Sequence, residues 1–528
     1  MISYTLELIP RNDVFGMTKA IEDWEPTIQK EFLSNSGTAA NIIEQIKIKT
    51  QNFTKEDRIN LQDVLLQQYK DIELTIAVKD NIAAITNPKT FTISTGHQLN
   101  LAMGPLYLIY KILHTIRMVE ELNTTHTENH FVPVFWMASE DHDFQEIQSV
   151  HLFSKTFTWD KEPMGAIGRF DTEGLKDVYQ EIIALFSEPL KEELNHLFNT
   201  DIEKYAKHFR RCINTLFSKF GLLIIDGDNI KLKSKFIPIF KKEIRERFLE
   251  STVSATNRAL IAKGIQAQAH VRPINIFHLS NGKRSRLIEQ NNKIIIDDQA
   301  LTIEEVCLLI DMHPEQFSPN VLLRPLYQES VLPNLCYIGG NAELNYWAQL
   351  KSSFSAVKLP FPILRTRFSA FILTPKMKGS AANLYSLFKP IDQQINELMQ
   401  TESERDQFFS EIDAISSNLK QAMEKGLSKF GSDASRWSDA QIAGIEKNLG
   451  HWKQRWQREE KQRLETAINR IEKINRELYP SGIPQERHWN FLHVLGQNNI
   501  SDWLCELKNK IKPFSSDIHI FVQNHETE

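Results

Sequence analysis

Hydrophobic and polar positions divide the chain into segments with different spacing. Residues 1–90 are polar and carry apolar side chains at helical spacing, such as Ile42 and Ile46, so they predict an N-terminal helical segment that joins the core. Runs rich in β-branched or apolar residues follow at 91–95, 131–137 and 221–225. Helical patterns separate these runs, and strands that alternate with helices are typical of a parallel sheet. The runs therefore predict an α/β fold.

The middle of the chain carries short alternating runs. Together with Asn281-Gly282, a pair that favours a tight hairpin turn, they predict a small β-rich insertion over residues 254–317. Its predicted strands cover residues 268–272, 275–279, 285–288 and 293–296. The α/β pattern then returns, with 361–365 as its last predicted strand. We therefore predict one core in two parts, residues 91–253 and 318–383, on either side of the insertion.

The C-terminal part of the chain is almost entirely helical in pattern. Apolar residues lie three and four apart along two long stretches, and residues 431–438 have the composition of a turn between them. Residues 384–480 therefore predict an antiparallel coiled-coil arm, followed by a C-terminal segment over 481–528. Because a contact between two helices cannot bury a whole apolar stripe, we expect a homodimer formed through the arm. The alternative is an arm that packs on its own core.

Composition excludes several classes of protein. The 528 residues are 41% hydrophobic and 24% charged, as in ordinary globular proteins, and the net charge of -5 gives no reason to expect a nucleic-acid partner. No run of about 18 apolar residues predicts a membrane span, and charged residues within 1–15 argue against a signal peptide. The four cysteines lack CxxC spacing, which favours a reduced, cytoplasmic protein without a structural zinc cluster.

The first candidate binding motif lies where the run 91–95 meets a helical pattern. Its residues are Thr95, Gly96, His97, Gln98, Gly104, Pro105 and Lys111. A strand that ends in glycine and leads to a helix places free backbone N–H groups at the positive end of a helix dipole, which favours phosphate or carboxylate. His97 and Gln98 would then bind phosphate oxygens, and Lys111 would reach a ligand or solvent. A simple turn is the alternative, and no GxGxxG or GxxxxGK[ST] motif indicates ordinary dinucleotide or P-loop binding.

The second candidate motif is Glu140-Asp141-His142-Asp143, directly after the run 131–137. Open α/β sheets bind ligands beyond the carboxyl ends of their strands, and these side chains concentrate more charge there than folding requires. They suit hydrogen bonding to hydroxyl groups or an amine, general base catalysis, or Mg²⁺ coordination. Capping of the following helix is the structural alternative. Zinc is disfavoured, because adjacent residues of an extended segment point to opposite sides.

The third candidate motif combines Asn320 and Arg324 with Gly339, Gly340 and Glu343. Two glycines before a helix permit close approach of a ligand to the backbone, and Arg324 offers a planar fork for phosphate or carboxylate. A loop with a surface arginine is the alternative.

Taken in chain order, these motifs resemble the bacillithiol biosynthesis cysteine-adding enzyme family. The matching stretches are 94–98, 104–107, 110–111, 133–136, 140–144, 318–320, 324–325, 337–340, Glu343 and 346–350. The family has glutamine where this chain has His97, so Gln98 is the better-matched residue. The resemblance implies a Rossmann-like core related to nucleotidyltransferases and class I synthetases, with connecting-peptide insertions and a dimerising coiled coil.

The resemblance also implies the last step of bacillithiol synthesis, in which the carboxylate of L-cysteine is joined to the amine of glucosaminyl-malate. A free carboxylate and an ammonium group do not form an amide usefully at neutral pH, so ATP is the expected cosubstrate, with Mg²⁺ as its companion. The carboxylate would be activated by adenylation or by phosphorylation. The alternatives are a nucleotidyltransferase acting on another small substrate and a non-catalytic dimeric scaffold that binds a ligand.

Roles for the motif residues follow as hypotheses from this resemblance. The stretch 95–98 and the two glycines at 339–340 would hold the nucleotide phosphates, and Arg324 or Lys111 would neutralise charge in the transition state. One of three residues would bind the amine and take its proton, namely Asp141, His142 or Asp143. The carboxylates of malate need cationic partners, for which the expected residues are Arg365 and Arg367.

Overall fold

The computed structural model describes residues 3–35, 37–162, 165–201, 204–280, 282–379, 384–399, 401–427, 429–430, 432–496 and 498–524. The described residues form two compact units. The first comprises Met1–Asn12, Met17–Thr374 and Gln485–Glu528, and the second comprises Asp13–Gly16 and Pro375–Pro484. Within the described residues, every helix is too short or too polar to cross a bilayer.

The strands are numbered in chain order. They are β1 Tyr4–Ile9, β2 Thr90–His97, β3 His130–Met137, β4 Ser149–Leu152, β5 Lys155–Thr158, β6 Leu223–Asp226, β7 Ile276–Ser280, β8 Lys283–Arg286, β9 Ile288–Gln290, β10 Lys293–Ile296, β11 Gln299–Leu301, β12 Phe317–Pro319, β13 Asn334–Gly339, β14 Ile363–Thr366, β15 Ala370–Leu373 and β16 Ile518–Gln523.

The α-helices are numbered in the same way. They are α1 Pro26–Phe32, α2 Ala39–Asn52, α3 Lys55–Gln68, α4 Ile76–Ala84, α5 Leu106–Thr125, α6 Leu175–Ile183, α7 Leu190–Leu197, α8 Tyr205–Phe217, α9 Ile230–Glu246, α10 Phe248–Ala262, α11 Ile303–Met312, α12 Arg324–Val331, α13 Asn341–Ala348, α14 Lys351–Ala356, α15 Pro375–Lys378, α16 Ile391–Met399, α17 Thr401–Leu427, α18 Ser432–Leu478, α19 Gln485–His488, α20 Phe491–Val494 and α21 Ile500–Lys510.

The core of the first unit is a parallel five-stranded sheet in the order β14-β13-β2-β3-β6. The chain enters this sheet at β2, adds β3 and β6 on one side, and later adds β13 and β14 on the other. The strand order therefore reverses between β2 and β13. In sheets of this kind, the ligand crevice lies beyond the carboxyl ends of the strands at such a reversal.

The strands of this parallel sheet are almost continuously apolar because connecting helices cover both of its faces. Every residue of β13 and β14 is buried, as is all of β3 except its first residue. On one face, Ile42 of α2 and Met118 of α5 pack against Phe91, Ile93 and Ile338 of the sheet. This arrangement confirms the predicted α/β fold and the core strands predicted at 91–95, 131–137 and 221–225.

The N-terminal segment predicted to be helical over residues 1–90 begins with a strand, β1, so this part of the prediction is wrong. Strand β1 pairs antiparallel with β16, and β16 pairs parallel with β15, so the two ends of the chain share a three-stranded sheet. The partner of β1 lies about five hundred residues away along the chain. A short run whose pairing is this distant leaves little local signal, because strand preference depends on the neighbouring strand.

The insertion is β-rich, but its first predicted strand is absent. Residues 268–272 form no strand, because the backbone N–H groups of Gln268 and Ala269 donate to the side-chain Oε1 of Gln349, at 3.2 and 3.0 Å. Strands β7 and β8 form the expected hairpin, although Asn281 of its predicted turn lies outside the described residues. The run predicted at 285–288 is divided between β8 and β9.

In the second unit, α17 and α18 pack against each other in opposite directions. The ring centroids of Phe409 and Trp456 are 5.0 Å apart, and Nζ of Lys420 lies 3.6 Å from Oε1 of Glu446. Because the partner number falls as the number in α17 rises, the two helices are antiparallel. The predicted turn at 431–438 is wrong, because α18 begins at Ser432. Serine and aspartate favour the first turn of a helix as well as a loop, which explains the error.

Candidate active site

A cavity of about 760 Å³ opens in the first unit beyond the carboxyl ends of β2, β3 and β13. This is the place where the strand order reverses and where open α/β sheets hold their ligands. Its volume is in the range of small-molecule sites. The residues of the three candidate motifs that line it are Gly96, His97, Gln98, Lys111, Glu140, Asp141, His142, Asn320, Arg324, Gly340 and Glu343. All three candidate motifs therefore meet at one cavity.

Lys111 and Glu343 join the ends of β2 and β13 at the base of the cavity. Nζ of Lys111 donates to the backbone oxygen of Gly96 at 3.0 Å and to Oε2 of Glu343 at 2.6 Å. The same carboxylate accepts from the backbone N–H of Gly340 at 3.3 Å and from the hydroxyl of Tyr337. Burial alone would raise the pKa of Glu343, but the Lys111 charge lowers it below its ordinary value. Lys111 is 5% exposed and its Nζ donates to both of these acceptors, so it positions the strand ends and does not reach solvent.

His97 lies at the end of β2 with its ring stacked on Tyr107, the centroids 5.0 Å apart. Burial lowers the pKa of His97 well below its ordinary value, and the nearby Lys111 charge acts in the same direction. The imidazole is therefore neutral at physiological pH. It can take part in hydrogen bonds and stacking, but it brings no positive charge for phosphate.

Gln98 connects two carboxylates at the cavity wall. Its side-chain Nε2 donates to Oδ2 of Asp141 and to Oε2 of Glu146, both at 2.8 Å. Oδ1 of Asp141 also accepts from the backbone N–H of His142 at 2.7 Å. Burial would raise the pKa of Asp141, but the hydrogen bonds and the Arg284 charge lower it far below its ordinary value. Asp141 is therefore a permanent anion and a weak base.

Glu140 lies beneath this wall in a buried ion-pair network. Its Oε1 is 2.6 Å from Nζ of Lys233, which also lies 2.9 Å from Oδ1 of Asp228. Burial raises the pKa of Glu140, while the Lys233 charge opposes the rise. The described residues contain no group of three or more His, Cys, Asp or Glu side chains arranged to hold a metal ion. The ion pair of Glu140 with the buried Lys233 joins the loop after β3 to α9.

Five residues of the candidate motifs are absent from the described lining of the cavity, namely Thr95, Gly104, Pro105, Gly339 and Asp143. The hydroxyl of Thr95 donates to the backbone oxygen of Ile338 at 2.7 Å and so joins β2 to β13. The side-chain Nδ2 of Asn490 donates to the backbone oxygen of Gly104, which holds the loop before α5. Asp143 is exposed at a turn, and no hydrogen bond from its side chain caps the turn that follows.

The side chain of Asn320 and the first backbone N–H of α5 also form hydrogen bonds within the protein. Oδ1 of Asn320 accepts from the backbone N–H groups of Leu322 and Leu323, both at 3.0 Å, before α12 begins. The backbone N–H of Leu106 donates to the oxygen of Trp489 at 2.7 Å. The first backbone N–H of α5 is therefore engaged within the protein and is not available to the anion that the sequence indicated.

Gly104 offers a direct test of this structural role. Its φ is +60°, and an added Cβ would lie 2.7 Å from Cβ of Asn100. We expect Gly104→Ala to destabilise the protein by about 1–3 kcal/mol, because strain and overlap act together. Thermal unfolding would measure the loss. Gly444→Ala, at an open position inside α18, is the matched control and should be neutral or stabilising. Unchanged stability of Gly104→Ala would contradict the assignment.

The insertion contributes a group of basic side chains that sequence analysis missed. Arg272, Arg284 and Arg286 line the cavity, and Arg487 joins them from α19. Arg284 and Arg286 alternate along β8 and therefore share one face of the strand, which is a pattern visible in the sequence. Arg272 and Arg286 are exposed, so their charges are available to a ligand.

The expected malate partners Arg365 and Arg367 are placed differently. Arg365 is absent from the described lining, and its Nε lies 3.4 Å from Oε1 of Glu22. Arg367 does line the cavity, but Nη1 and Nη2 donate to Glu486 at 3.0 and 2.6 Å. Both guanidinium groups are buried in ion pairs, so the arginines of the insertion replace them as candidate partners of a dicarboxylate.

The parallel sheet and its reversal define a Rossmann-like α/β protein, with a cavity at the reversal that is lined by residues of opposite charge. Sequence comparison is more specific. Residues 8–368 match the family described as "Bacillithiol biosynthesis BshC, N-terminal Rossmann-like domain", and residues 374–522 match "Bacillithiol biosynthesis BshC, C-terminal coiled-coil domain". The chain belongs to this BshC family, which confirms the resemblance found in its motifs.

Individual relatives match along nearly the whole chain. A protein of Flavobacterium johnsoniae named "Putative cysteine ligase BshC" is 34% identical over 522 residues, 96% of this chain and 97% of its own length. Relatives with the same name come from Christiangramia forsetii, 33% identical over 91% of this chain and 92% of theirs, and from Bacillus cereus, 28% identical over 83% and 86%.

Proposed function

We propose that the protein is an amide-forming ligase that joins the carboxylate of L-cysteine to the amine of glucosaminyl-malate, with ATP as the activating cosubstrate. The observation that carries the proposal is the division of charge in one cavity. Asp141 and Glu146 come from the end of β3 and the loop that follows, whereas Arg272 and Arg286 come from the insertion. An acceptor with an amine at one end and a dicarboxylate at the other matches this division. The relatives named "Putative cysteine ligase BshC" support the cysteine-ligase part of the proposal.

The carboxylates of the cavity take different roles in this proposal. Asp141 stays ionised, so it holds the ammonium group of the acceptor and orients it. Glu146 is exposed, lines the cavity and shares the amide of Gln98, so it is our candidate for the group that takes the proton of the attacking nitrogen. This choice replaces Asp143, which lies outside the described lining of the cavity.

The residues around α13 fit the phosphates of a nucleotide. Gly340 precedes the helix, and an added Cβ there would meet only Nε of Arg367, at 3.9 Å, so the backbone is open to close approach. Asn341 and Ala342 line the cavity in the first turn, where backbone N–H groups and the helix dipole favour anions. Arg324 adds a positive charge nearby. Mg²⁺ would accompany the phosphates, since it needs only one or two protein carboxylates.

The chemistry then balances in two steps. In the first step a carboxylate oxygen of cysteine would bond to the α-phosphorus of ATP with release of pyrophosphate, or to the γ-phosphorus with release of ADP, which gives a reactive acyl group. The acceptor ammonium group first gives one proton to Glu146, and the lone pair of the resulting amine attacks the carbonyl carbon, so that the C–N bond forms. The bond from that carbon to the phosphate-bearing oxygen then breaks, AMP or inorganic phosphate leaves, and the nitrogen gives its second proton to solvent. Arg272 and Arg286 bind the malate carboxylates throughout, which positions the amine beside Asp141.

Purified protein supplied with cysteine, glucosaminyl-malate, ATP and Mg²⁺ tests the proposal. Mass spectrometry should find the amide product, with AMP or ADP formed in equal amount. AMP would identify adenylation, and ADP would identify phosphorylation. Pyrophosphate release that needs no glucosaminyl-malate and yields no amide would contradict the proposal and favour a nucleotidyltransferase. Nucleotide left intact and no amide would contradict it as well.

We also propose that the protein is a homodimer formed through α17 and α18. Ile415 and Leu419 lie on one face of α17 and are 64% and 45% exposed, although isoleucine and leucine are usually buried. Leu419→Glu should therefore convert the dimer into a monomer, as measured by light scattering during gel filtration. Ser417→Glu, on the opposite side of the helix, is the matched control and should stay dimeric. A wild-type monomer, or a Leu419→Glu dimer, would contradict the proposal.

The cysteines support a cytoplasmic location for the proposed activity. All four are free thiols in the structure, and Cys212, Cys307 and Cys336 are buried. Burial raises the pKa of Cys212 to about 12, which makes it unreactive. A protein with unpaired cysteines fits a reducing compartment.

A further inference from the structure

Arg284 reaches from the insertion to the second motif and contacts His142. Its Nη1 lies 2.9 Å from Nδ1 of the His142 ring. Its Nη2 donates to Oγ of Ser318 at 3.3 Å and to the backbone oxygen of Pro319 at 3.0 Å. The guanidinium also lies over the ring of Phe277, 4.0 Å from the centroid. Contacts on several sides therefore fix the direction in which Arg284 meets the imidazole.

The chemistry of the two groups decides which ring nitrogen carries the proton. A guanidinium has only N–H donors and stays charged at any physiological pH. Nδ1 of His142 must therefore present its lone pair to Arg284, which leaves the proton of the neutral ring on Nε2. Oδ1 of Asp141 lies 3.6 Å from Nδ1, which is beyond hydrogen-bonding distance, whereas Nη1 of Arg284 lies within it.

We infer that Arg284 is a positioning residue that holds His142 as an Nε2–H donor towards the cavity. In that state His142 cannot serve as the general base, because its only lone pair is occupied by Arg284. Among the described residues, Nε2 has no hydrogen-bond partner, and 46% of the His142 side chain is exposed. His142 therefore donates a hydrogen bond to an oxygen of the substrate that gains negative charge during attack, and no proton is transferred.

The inferred tautomer does not depend on the reaction, whereas the role of the Nε2–H group in turnover rests on the proposed ligase function. This separation gives two independent tests. The first reads the ring nitrogens directly, and the second reads amide formation.

The first test is nitrogen NMR of protein labelled with ¹⁵N-histidine, with His142→Gln used to assign the His142 signals. At neutral pH we expect a protonated Nε2 and an unprotonated Nδ1 in the wild type. Arg284→Met should shift His142 towards a mixture of tautomers, and Arg284→Lys, which keeps a cationic donor, should restore the wild-type pattern at least in part. Arg286→Met is the matched control, since its guanidinium lies farther along β8, 5.6 Å from the centroid of Phe277. It should leave the tautomer unchanged.

A protonated Nδ1 in the wild type would overturn the inference, and so would a His142 signal that is the same in the wild type and Arg284→Met. Both results are readable in protein that shows no turnover. A failure of the ligase proposal would therefore not be confused with a failure of this one.

The second test compares two substitutions of His142 in amide formation. The amide nitrogen of glutamine can occupy the place of Nε2, whereas asparagine reaches only the place of Nδ1. We expect His142→Gln to keep kcat within about ten-fold of the wild type. We expect His142→Asn to lose about 10²–10³-fold, as when one donor to a developing oxyanion is removed. Equal losses in both variants would mean that an N–H donor at the place of Nε2 does not support turnover, which would overturn the inference.

Discussion

Asp141→Asn should lower kcat/KM for amide formation by about 100-fold, because a charge-assisted hydrogen bond worth about 2–3 kcal/mol is lost. The neutral amide keeps an oxygen that accepts from the backbone N–H of His142, whereas its NH₂ group cannot accept from Nε2 of Gln98, so that hydrogen bond is lost as well. The acceptor amine loses the anion that holds it. Steady-state kinetics with varied glucosaminyl-malate would measure the change.

The pH dependence of the wild type gives a second view of the same residue. The pKa of Asp141 is held far below its ordinary value of about 4 by its hydrogen bonds and by the Arg284 charge, so the side chain remains ionised throughout the neutral and mildly acid range. Any fall in kcat/KM at acid pH must therefore come from another group.

Asp143→Asn is the matched control for Asp141→Asn, since Asp143 is exposed and outside the described lining, and it should retain activity. Wild-type activity in Asp141→Asn would remove Asp141 from the mechanism.

Glu486→Gln should destabilise the protein by about 3–5 kcal/mol, because it leaves the buried Arg367 charge without its partner. The two side chains are 1% and 4% exposed and meet through two N–H···O bonds, at 3.0 and 2.6 Å. The same carboxylate accepts from the backbone N–H of Ala370 at 3.1 Å, which ties the start of β15 to α19. Chemical denaturation at neutral pH, followed by fluorescence, would measure the loss.

The sign of the pH effect follows from the pKa of Glu486. Burial would raise that pKa, but the Arg367 charge and its hydrogen bonds lower it below the ordinary value. The stabilisation is therefore present above the unfolded pKa of about 4.3 and is lost as the pH falls through the folded value. The wild type and Glu486→Gln should thus converge in acid. Glu304→Gln, in an exposed pair with Arg245, is the control and should change little. An equally small change for Glu486→Gln would contradict the assignment.

Sequence reasoning found the parts of the site that depend on local pattern. The run at 131–137 is almost continuously apolar, which is typical of a parallel strand buried on both faces. Asp141 follows this run four residues later. The run at 91–95 is likewise followed by a polar candidate residue, Gln98. Because β2 and β3 are parallel neighbours, their carboxyl ends lie side by side. The contact between Gln98 and Asp141 therefore follows from two strand ends that could each be predicted.

The parts that sequence reasoning missed depend on contacts between distant segments. Arg367 was expected to meet a substrate, yet its partner Glu486 lies more than a hundred residues further along the chain. Lys111 was expected near a ligand or solvent, but its Nζ donates to the carboxylate of Glu343, which follows β13 on the other side of the strand reversal. Arg284 lies on a hairpin that only the fold brings to His142. Charged residues show their sign in the sequence, but which of them are already neutralised depends on packing.

The most direct test of the proposed reaction follows the oxygen atoms of the cysteine carboxylate. Cysteine labelled with ¹⁸O in both carboxylate oxygens would be converted with glucosaminyl-malate, ATP and Mg²⁺, and the nucleotide products would be analysed by mass spectrometry. If the carboxylate is activated by ATP and then attacked by the amine, one ¹⁸O must leave with AMP or with inorganic phosphate for every amide formed. An amide formed without label in either product would contradict activation of the carboxylate by ATP.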